Sequence, residues 1–374
     1  MTTPSATTGA QLAAKRKAQP GQLFDLLFVP FVLIILCLYL SLTNPVFLTS
    51  GNLVNILLQA SILAIASFGM TFAILGRELD LSVGTGSALA SVIAALVMVN
   101  TGSILWGVLA GLGFGVLLGA TNGFLVTKVE VPSFIATLGA FIVCQGVALA
   151  LTNGGVIFGL PEGIAAFSDW RLLGIPALVW CTGVIFLVLY FVQRKTVFGA
   201  QVMAVGGNPE AARLSGIAVN RVRFLIFIIT GTTAALAGLA LLVRVQSGQP
   251  NANQLLALEA IAAVVVGGTS LNGGRGSVAR TLWGVLLIAV LRNGLDLMGL
   301  SEDMKMIVIG VVFIVAASVD FMRRQFLKRR FSDPKPSTET DPKPSTEPRE
   351  AALGDAGAEG GEGRTSSGPE SRTS

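Results

Sequence analysis

The chain has 374 residues, 52% of them hydrophobic and only 13% charged, with a mean hydropathy of +0.73. Soluble domains carry about 25% charged residues, so this composition excludes a soluble globular enzyme, and it excludes disorder over most of the length. The formal net charge of +5 divides unevenly: residues 331–374 carry five Lys/Arg and nine Asp/Glu, which leaves 21 basic and 12 acidic groups in residues 1–330.

Residues 1–23 are polar, contain Lys15-Arg16-Lys17 and read as an N-terminal segment outside the bilayer. The apolar run 24–42 that follows is long enough to cross about 30 Å of hydrocarbon as a helix. It exceeds the roughly 7–15 apolar residues of a signal peptide and closes with Leu42-Thr43-Asn44-Pro45, so it is expected to be a retained first helix. Further apolar stretches lie at 52–75, 81–100, 103–127, 133–152, 176–193, 223–245, 256–270, 278–293 and 304–320, giving ten candidate spans in a transmembrane domain of residues 24–322. Where stretches meet, at Gly76–Gly86 and Gly267–Gly276, re-entrant or broken helices are expected. The 44 glycines follow no collagen period and are expected to serve close helix packing.

Basic residues orient the chain. Lys15 to Lys17 precede the first helix, Arg194, Lys195, Arg213, Arg221 and Arg223 cluster between the sixth and seventh, and Arg323, Arg324, Lys328, Arg329 and Arg330 follow the tenth. An even number of crossings places these clusters, and Lys128, on one side; ten crossings therefore predict that both termini are cytoplasmic. Helices two to five and seven to ten then run oppositely, the pattern of an inverted repeat. Residues 323–374 carry a tandem octapeptide, DPKPSTET and DPKPSTEP, and their Pro, Gly, Ser and charge content predicts a disordered cytoplasmic tail. The expected fold class is an all-α polytopic membrane protein of about ten transmembrane helices.

Chemistry is constrained by what is missing. No Gly-Lys pair occurs, so there is no GxxxxGK[ST] phosphate loop. Without histidine there is no Ser-His-Asp triad, and Cys37, Cys144 and Cys181 lie far apart in separate apolar runs. Neither a disulfide framework nor a metal site is expected, and no catalytic residue is assigned. Basic residues collect in loops rather than on an aromatic-interleaved surface, which argues against nucleic acid as a partner. Passage of something across the membrane is the function left.

Four features could carry it. In the loop Gln193 to Arg223, Asn208 suits a helix cap, Pro209 a first helical position and Gly216 a stop. The result is a two-turn helix holding Glu210, Ala211, Ala212 and Arg213, either a docking element for another protein or an ordinary surface loop. The segment Gly76 to Gly84 places Arg77, Glu78 and Asp80 between apolar stretches, where each charge costs about 2.5–3.5 kcal/mol at the midplane. They should face a water-filled path, an interface or each other, with Arg77 and Asp80 able to pair if the segment is helical. The segment Glu259 to Gly276 ends in Gly267-Gly268-Thr269-Ser270-Leu271-Asn272-Gly273-Gly274-Arg275-Gly276, read as packing glycines rather than a phosphate cradle. Finally, Asn55, Gln59, Asn122 and Gln145 lie inside apolar stretches and could hydrogen-bond a sugar or bridge helices. The residues singled out for a path or gate are Asn55, Gln59, Asp80, Ser82, Glu259 and Thr269.

Together these segments carry a resemblance. Glu210-Ala211-Ala212-x3-Gly216 resembles the cytoplasmic EAA-x3-G loop of binding-protein-dependent ABC importer permeases. Asp80-Leu81-Ser82-Val83-Gly84, Phe134-Ile135-Ala136-Thr137-Leu138, Thr152-Asn153-Gly154 and Gly267 to Gly276 are similar to signatures of the ribose-type branch, in order over roughly residues 50–322. The chain departs from that branch at Arg77-Glu78, where small residues are common, and at Glu259, where aspartate is usual.

The resemblance implies one of two permease subunits, in a homo- or heterodimer, forming the pore of a monosaccharide importer in the bacterial inner membrane. It implies that a cytoplasmic ABC ATPase, which binds the ATP and Mg, grips the loop of Asn208, Glu210, Ala211, Ala212, Arg213 and Gly216. A periplasmic sugar-binding protein would deliver ribose, xylose or a related sugar or polyol. No cofactor is implied in this chain. The alternative is an ion- or proton-coupled secondary sugar transporter, with Asp80 or Glu259 as its titrating carboxylate.

Overall fold

The computed structural model of the chain describes residues 20–301 and 303–311 and the single positions 314 and 318, all within one compact unit of residues 1–324. The expected N-terminal segment up to residue 19, much of the stretch 304–320 and the repeat-bearing tail lie outside the described residues.

Helices dominate. In chain order they are α1 (Pro20–Thr43), α2 (Ser50–Leu75), α3 (Val83–Thr101), α4 (Ile104–Thr127), α5 (Ser133–Thr152) and α6 (Glu162–Asp169). A two-residue-per-strand hairpin follows, β1 (Arg171–Leu172) and β2 (Ile175–Pro176), and then α7 (Ala177–Lys195), α8 (Val197–Gly207), α9 (Pro209–Leu214), α10 (Val219–Val245), α11 (Leu256–Val266) and α12 (Val278–Leu297). Residues 303–311 are again helical. Among the described residues, α2, α3, α4, α5, α7, α10 and α12 are long and apolar enough to cross a membrane, whereas α8 and α11 are apolar but short.

Burial sorts these helices into two rings. In the most apolar stretch of each, 67% of α2, 72% of α3 and 61% of α10 is buried, against 28% of α4 and 22% each of α5 and α7. The inner helices are apolar or small on every side, as a helix surrounded by others must be. The outer ones turn large side chains outward, such as Leu117, Ile142 and Val188. Between lipid-facing helices there is no hydrophobic drive, so contact must come from close packing. The sequence supplies it where α4 crosses α10. Gly115 and Gly119 lie one turn apart on α4, and a Cβ on Gly231 of α10 would sit 2.3 Å from the Gly115 carbonyl oxygen. A Cβ on Gly119 would sit 2.3 Å from the carbonyl oxygen of Phe227. This is the close-packing use expected of the glycines.

Both expected breaks are present. α2 stops at Leu75 and α3 starts at Val83, while α11 stops at Val266 and α12 starts at Val278. The second break shortens its helix. At 11 residues, α11 rises about 16 Å and does not span a hydrocarbon core alone. The apolar run 256–270 therefore overstated it, because Gly268, Gly273 and Gly274 take left-handed backbone and end helical continuation.

Two further elements depart from expectation. The stretch 193–223, read as a polar interruption with one short helix, also contains α8, whose Val202, Val205 and Gly206 are buried. Its composition, VFGAQVMAVGG, is apolar, and its 11 residues are too few to register as a span. Between α5 and α7, α6 and the hairpin occupy a segment for which no element was predicted, with Leu173 and Gly174 left-handed at the turn.

Candidate functional site

The short helix α9 is built as its sequence predicts. Asn208 caps it, its Oδ1 accepting from the N–H groups of Glu210 and Ala211 at 3.1 Å each, and Pro209 occupies the first turn. Gly216, at φ 81°, ends it, while the Ile217 N–H donates back to the Ala212 carbonyl at 3.0 Å. Ala212 is buried beneath, whereas Glu210 and Arg213, 4.0 Å apart, are mostly exposed, and Leu214 is 89% exposed.

What lies under α9 fixes its position. A Cβ on Gly206 of α8 would fall 1.6 Å from the Leu75 carbonyl oxygen, and the Gly274 N–H donates to that same oxygen at 2.9 Å. Gln193 joins the group from α7, donating to the Gly276 carbonyl at 3.2 Å and accepting from the Val278 N–H at 2.9 Å. The end of α2, the glycine segment 267–276 and the α8–α9 pair thus form one backbone-to-backbone contact, which explains the glycines better than a phosphate cradle does. Thr269 is part of this segment, buried, with its Oγ1 lacking a hydrogen-bond partner.

The break at residues 76–82 is a second polar centre. The helical pairing of Arg77 with Asp80 does not form, because Arg77 takes a left-handed backbone at φ 65° and its side chain points out. Glu78, buried, instead pairs closely with Arg223 Nε near the start of α10. Asp80 Oδ1 accepts from the Ser82 N–H at 3.0 Å and from Ser82 Oγ at 2.5 Å, and Oδ2 accepts from Thr230 Oγ1 at 2.5 Å. Asn122 of α4 donates to Ser82 Oγ at 2.9 Å. Ser133 and Thr137 of α5 bond the Leu79 backbone. Three helices are thereby tied to one kinked linker.

The third centre is a cavity of about 280 Å³ between α2, α10, α11 and α12. Ile62, Leu63, Leu241, Leu256, Ile288 and Ala289 form its apolar lining. The polar lining is Gln59, Arg244, Asn253, Glu259, Arg292 and Asp296. Arg292 Nη1 donates to Glu259 Oε1 at 2.7 Å, and Arg244 Nη2 donates to Asn55 Oδ1 at 3.1 Å. Lys305 reaches Asp296 Oδ1 at 2.5 Å, and Gln59 Oε1 has no hydrogen-bond partner among the described residues.

The sequence-derived path residues therefore separate. Asn55, Gln59 and Glu259 come together at the cavity, Asp80 and Ser82 join Asn122 in the linker knot, and Thr269 lies beneath α8 and α9. Gln145 bridges α5 to the connection between α10 and α11 by donating to Asn251 Oδ1 at 3.1 Å. Arg244, Arg292 and Asp296 were missed. Their signal was present, as charges within or at the ends of otherwise apolar helices are expensive unless they face an interior polar space.

A protein-family profile described as branched-chain amino acid transport system / permease component matches residues 52–317. The ribose import permease protein RbsC of Escherichia coli K12 is 41% identical over 292 residues, covering 77% of this chain and 91% of that protein. Its Bacillus subtilis counterpart is 42% identical over 294 residues, covering 78% and 91%. The L-arabinose transport system permease protein AraH of Escherichia coli K12 is 32% identical over 316 residues, covering 84% and 96%. No solved structure matches the chain. With a family match over the helical body and relatives of this identity over nearly their full length, the chain belongs to the branched-chain amino acid transport system permease component family, and within it to the ribose-type permeases of sugar ABC importers.

Proposed function

We propose that the protein is a membrane-spanning subunit of an ATP-driven importer for a monosaccharide, ribose or a related pentose, hexose or polyol, in a bacterial inner membrane. It pairs with a second permease subunit and receives sugar from a periplasmic binding protein. It takes its energy from a separate cytoplasmic ATPase, which binds the ATP and Mg; the chain itself needs no cofactor and catalyses no reaction. The names of its relatives support the sugar class. An ion- or proton-coupled carrier has no support in these comparisons.

The observation that carries the ATPase partner is α9. A capped six-residue helix presents Glu210, Arg213 and Leu214 outward, while its buried side packs on α8 and α10, and α8 rests on the end of α2. A protein gripping α9 therefore acts on α10 by contact and on the end of α2 through α8. Its side of the membrane follows from charge. Asn220 donates to the Thr127 carbonyl at 3.2 Å, so the ends of α4 and α7 and the start of α10 share α9's end of the bundle. Lys128, Arg194, Lys195, Arg213 and Arg221 gather there, as the positive-inside rule asks of a cytoplasmic face. Ten crossings with both termini cytoplasmic agree with that placement.

The test is uptake of radiolabelled pentose, with co-purification of the ATPase, in Glu210→Lys and Gly216→Val. Both variants should fold, lose the ATPase and lose more than nine-tenths of uptake, because reversing an exposed interface charge costs several kcal/mol by like-charge contact. Wild-type uptake in both would remove the docking assignment.

A further inference from the structure

The cavity between α2, α10, α11 and α12 lies away from α9. It is lined by the middle of α2, the end of α10, the first turn of α11 and the second half of α12, in the half of the bundle toward the end opposite α9. On the orientation argued above, that end faces the side from which sugar arrives. Each helix brings both kinds of side chain, Gln59 one turn from Ile62 and Leu63 on α2, Arg244 one turn from Leu241 on α10 and Arg292 one turn from Ile288 and Ala289 on α12, so a polar wall adjoins an apolar one.

The polar wall mixes donors with acceptors. Arg244 and Arg292 donate only, Glu259 and Asp296 accept only, and Gln59 and Asn253 do both. A phosphate or carboxylate would be matched by donors alone, and an apolar ligand by neither. A sugar hydroxyl needs a donor and an acceptor at once, and a sugar's C–H face needs an apolar surface opposite. The polar wall is incomplete. Gln59 Oε1 is buried with no hydrogen-bond partner among the described residues, and of the Arg244 donors Nη2 goes to the Asn55 amide while Asp296 lines the same cavity. The volume, about 280 Å³, falls just under the roughly 300–1,000 Å³ of sites for drug-sized ligands, which limits the occupant to about one small ring or a short polyol.

We infer that this cavity is a binding subsite of the permease itself for a neutral polyhydroxylated molecule of monosaccharide size, with Gln59, Arg244 and the Glu259–Arg292 pair as its polar contacts. The subsite rests on the reading of this chain as a sugar-path subunit. It gives that path its own selectivity, separate from any delivered by a binding protein. The ligand's hydroxyls satisfy Gln59 Oε1 and the remaining donors of Arg244, while the ion pair supplies one acceptor and one donor side by side.

The experiment uses full-length protein in nanodiscs, with neither ATPase nor binding protein present. In Ile62→Cys, on the apolar lining, a small charged thiosulfonate reagent should label the introduced thiol above the wild-type background. Ribose or ribitol at tens of millimolar should slow that labelling at least threefold, and gluconate or ribose 5-phosphate should not. Adding Arg244→Met should leave labelling intact and remove the protection. In parallel, saturation-transfer NMR on the unmutated protein should show ribitol contacts that gluconate does not displace, which keeps the test valid if a variant fails to fold. No labelling, no protection by any neutral polyol, or stronger protection by the anionic sugars would each overturn the subsite. Because no ATPase is present, a failure of α9 docking does not affect these readouts; absent protection alongside intact ATP-driven uptake overturns the subsite alone.

Discussion

Asp80 lies between the end of α2 and the start of α3 with both carboxylate oxygens occupied and no solvent access. Its partners are hydroxyl and amide donors, so it works as a helix-start acceptor that also reaches across to Thr230 on α10. An amide in its place offers one oxygen and turns an N–H₂ group toward a donor. Leaving a buried donor unsatisfied costs about 1–3 kcal/mol. Asp80→Asn is therefore expected to lower the thermal midpoint in detergent by several degrees, with reduced uptake following from reduced folded protein. An unchanged midpoint with lost uptake would assign the carboxylate to the path instead of the packing. From sequence, the cost of a carboxylate among apolar stretches was legible, but its partner was not. Thr230 is 150 residues away, in a run that reads only as a span. The same distance hid Arg223 from Glu78, and it explains why a local Arg77–Asp80 pair was the available guess.

Elements were legible where period and length sufficed. The long helices α2, α3, α4, α5, α7, α10 and α12 begin and end within a few residues of the apolar runs, and both glycine-rich breaks were anticipated. The short helix α9 was readable because capping is local chemistry, carried by Asn208, Pro209 and Gly216 in nine consecutive residues. By contrast, α8 and α11 were misjudged because 11 apolar residues signal neither a span nor a loop. The crossing of α4 with α10 shows what sequence spacing alone cannot rank. Gly115, Gly119 and Gly231 meet backbone oxygens, while Gly139 on α5 has open space where a Cβ would go. Gly231→Val should force the two helices apart; overpacking costs typically 1–3 kcal/mol and more where backbone must move. We expect loss of monodisperse protein on size exclusion for Gly231→Val and a wild-type profile for Gly139→Val. Equal behaviour of the two would contradict a close crossing.

At the scale of the whole molecule, the parts divide by end. Backbone contacts among α2, α8 and the segment 267–276 gather beneath α9 at one end, and the charged cavity lies near the other. The linker knot of Asp80, Ser82 and Asn122 continues from the same α2 terminus that α8 touches. On the proposed function, a push on α9 would reach the inner ring through α8 and these short contacts, and the long helices α2, α10 and α12 connect that end with the cavity. This scheme uses residues 50–317 throughout and has no role for the repeat-bearing tail. The family match ends at residue 317, and ribose import permeases are covered over 91% of their own length by 292 residues of this chain. The tail's composition offers little apolar surface for a fixed interface, and terminal segments of that kind tolerate removal. Truncation after Ser332 retains the basic cluster Arg323 to Arg330 that orients the last helix. Uptake by the truncated protein is expected to stay within about twofold of the full chain, measured as initial rate per folded molecule in the same membranes. A total loss of uptake with normal insertion would instead make the tandem DPKPSTE repeat part of the transport machinery.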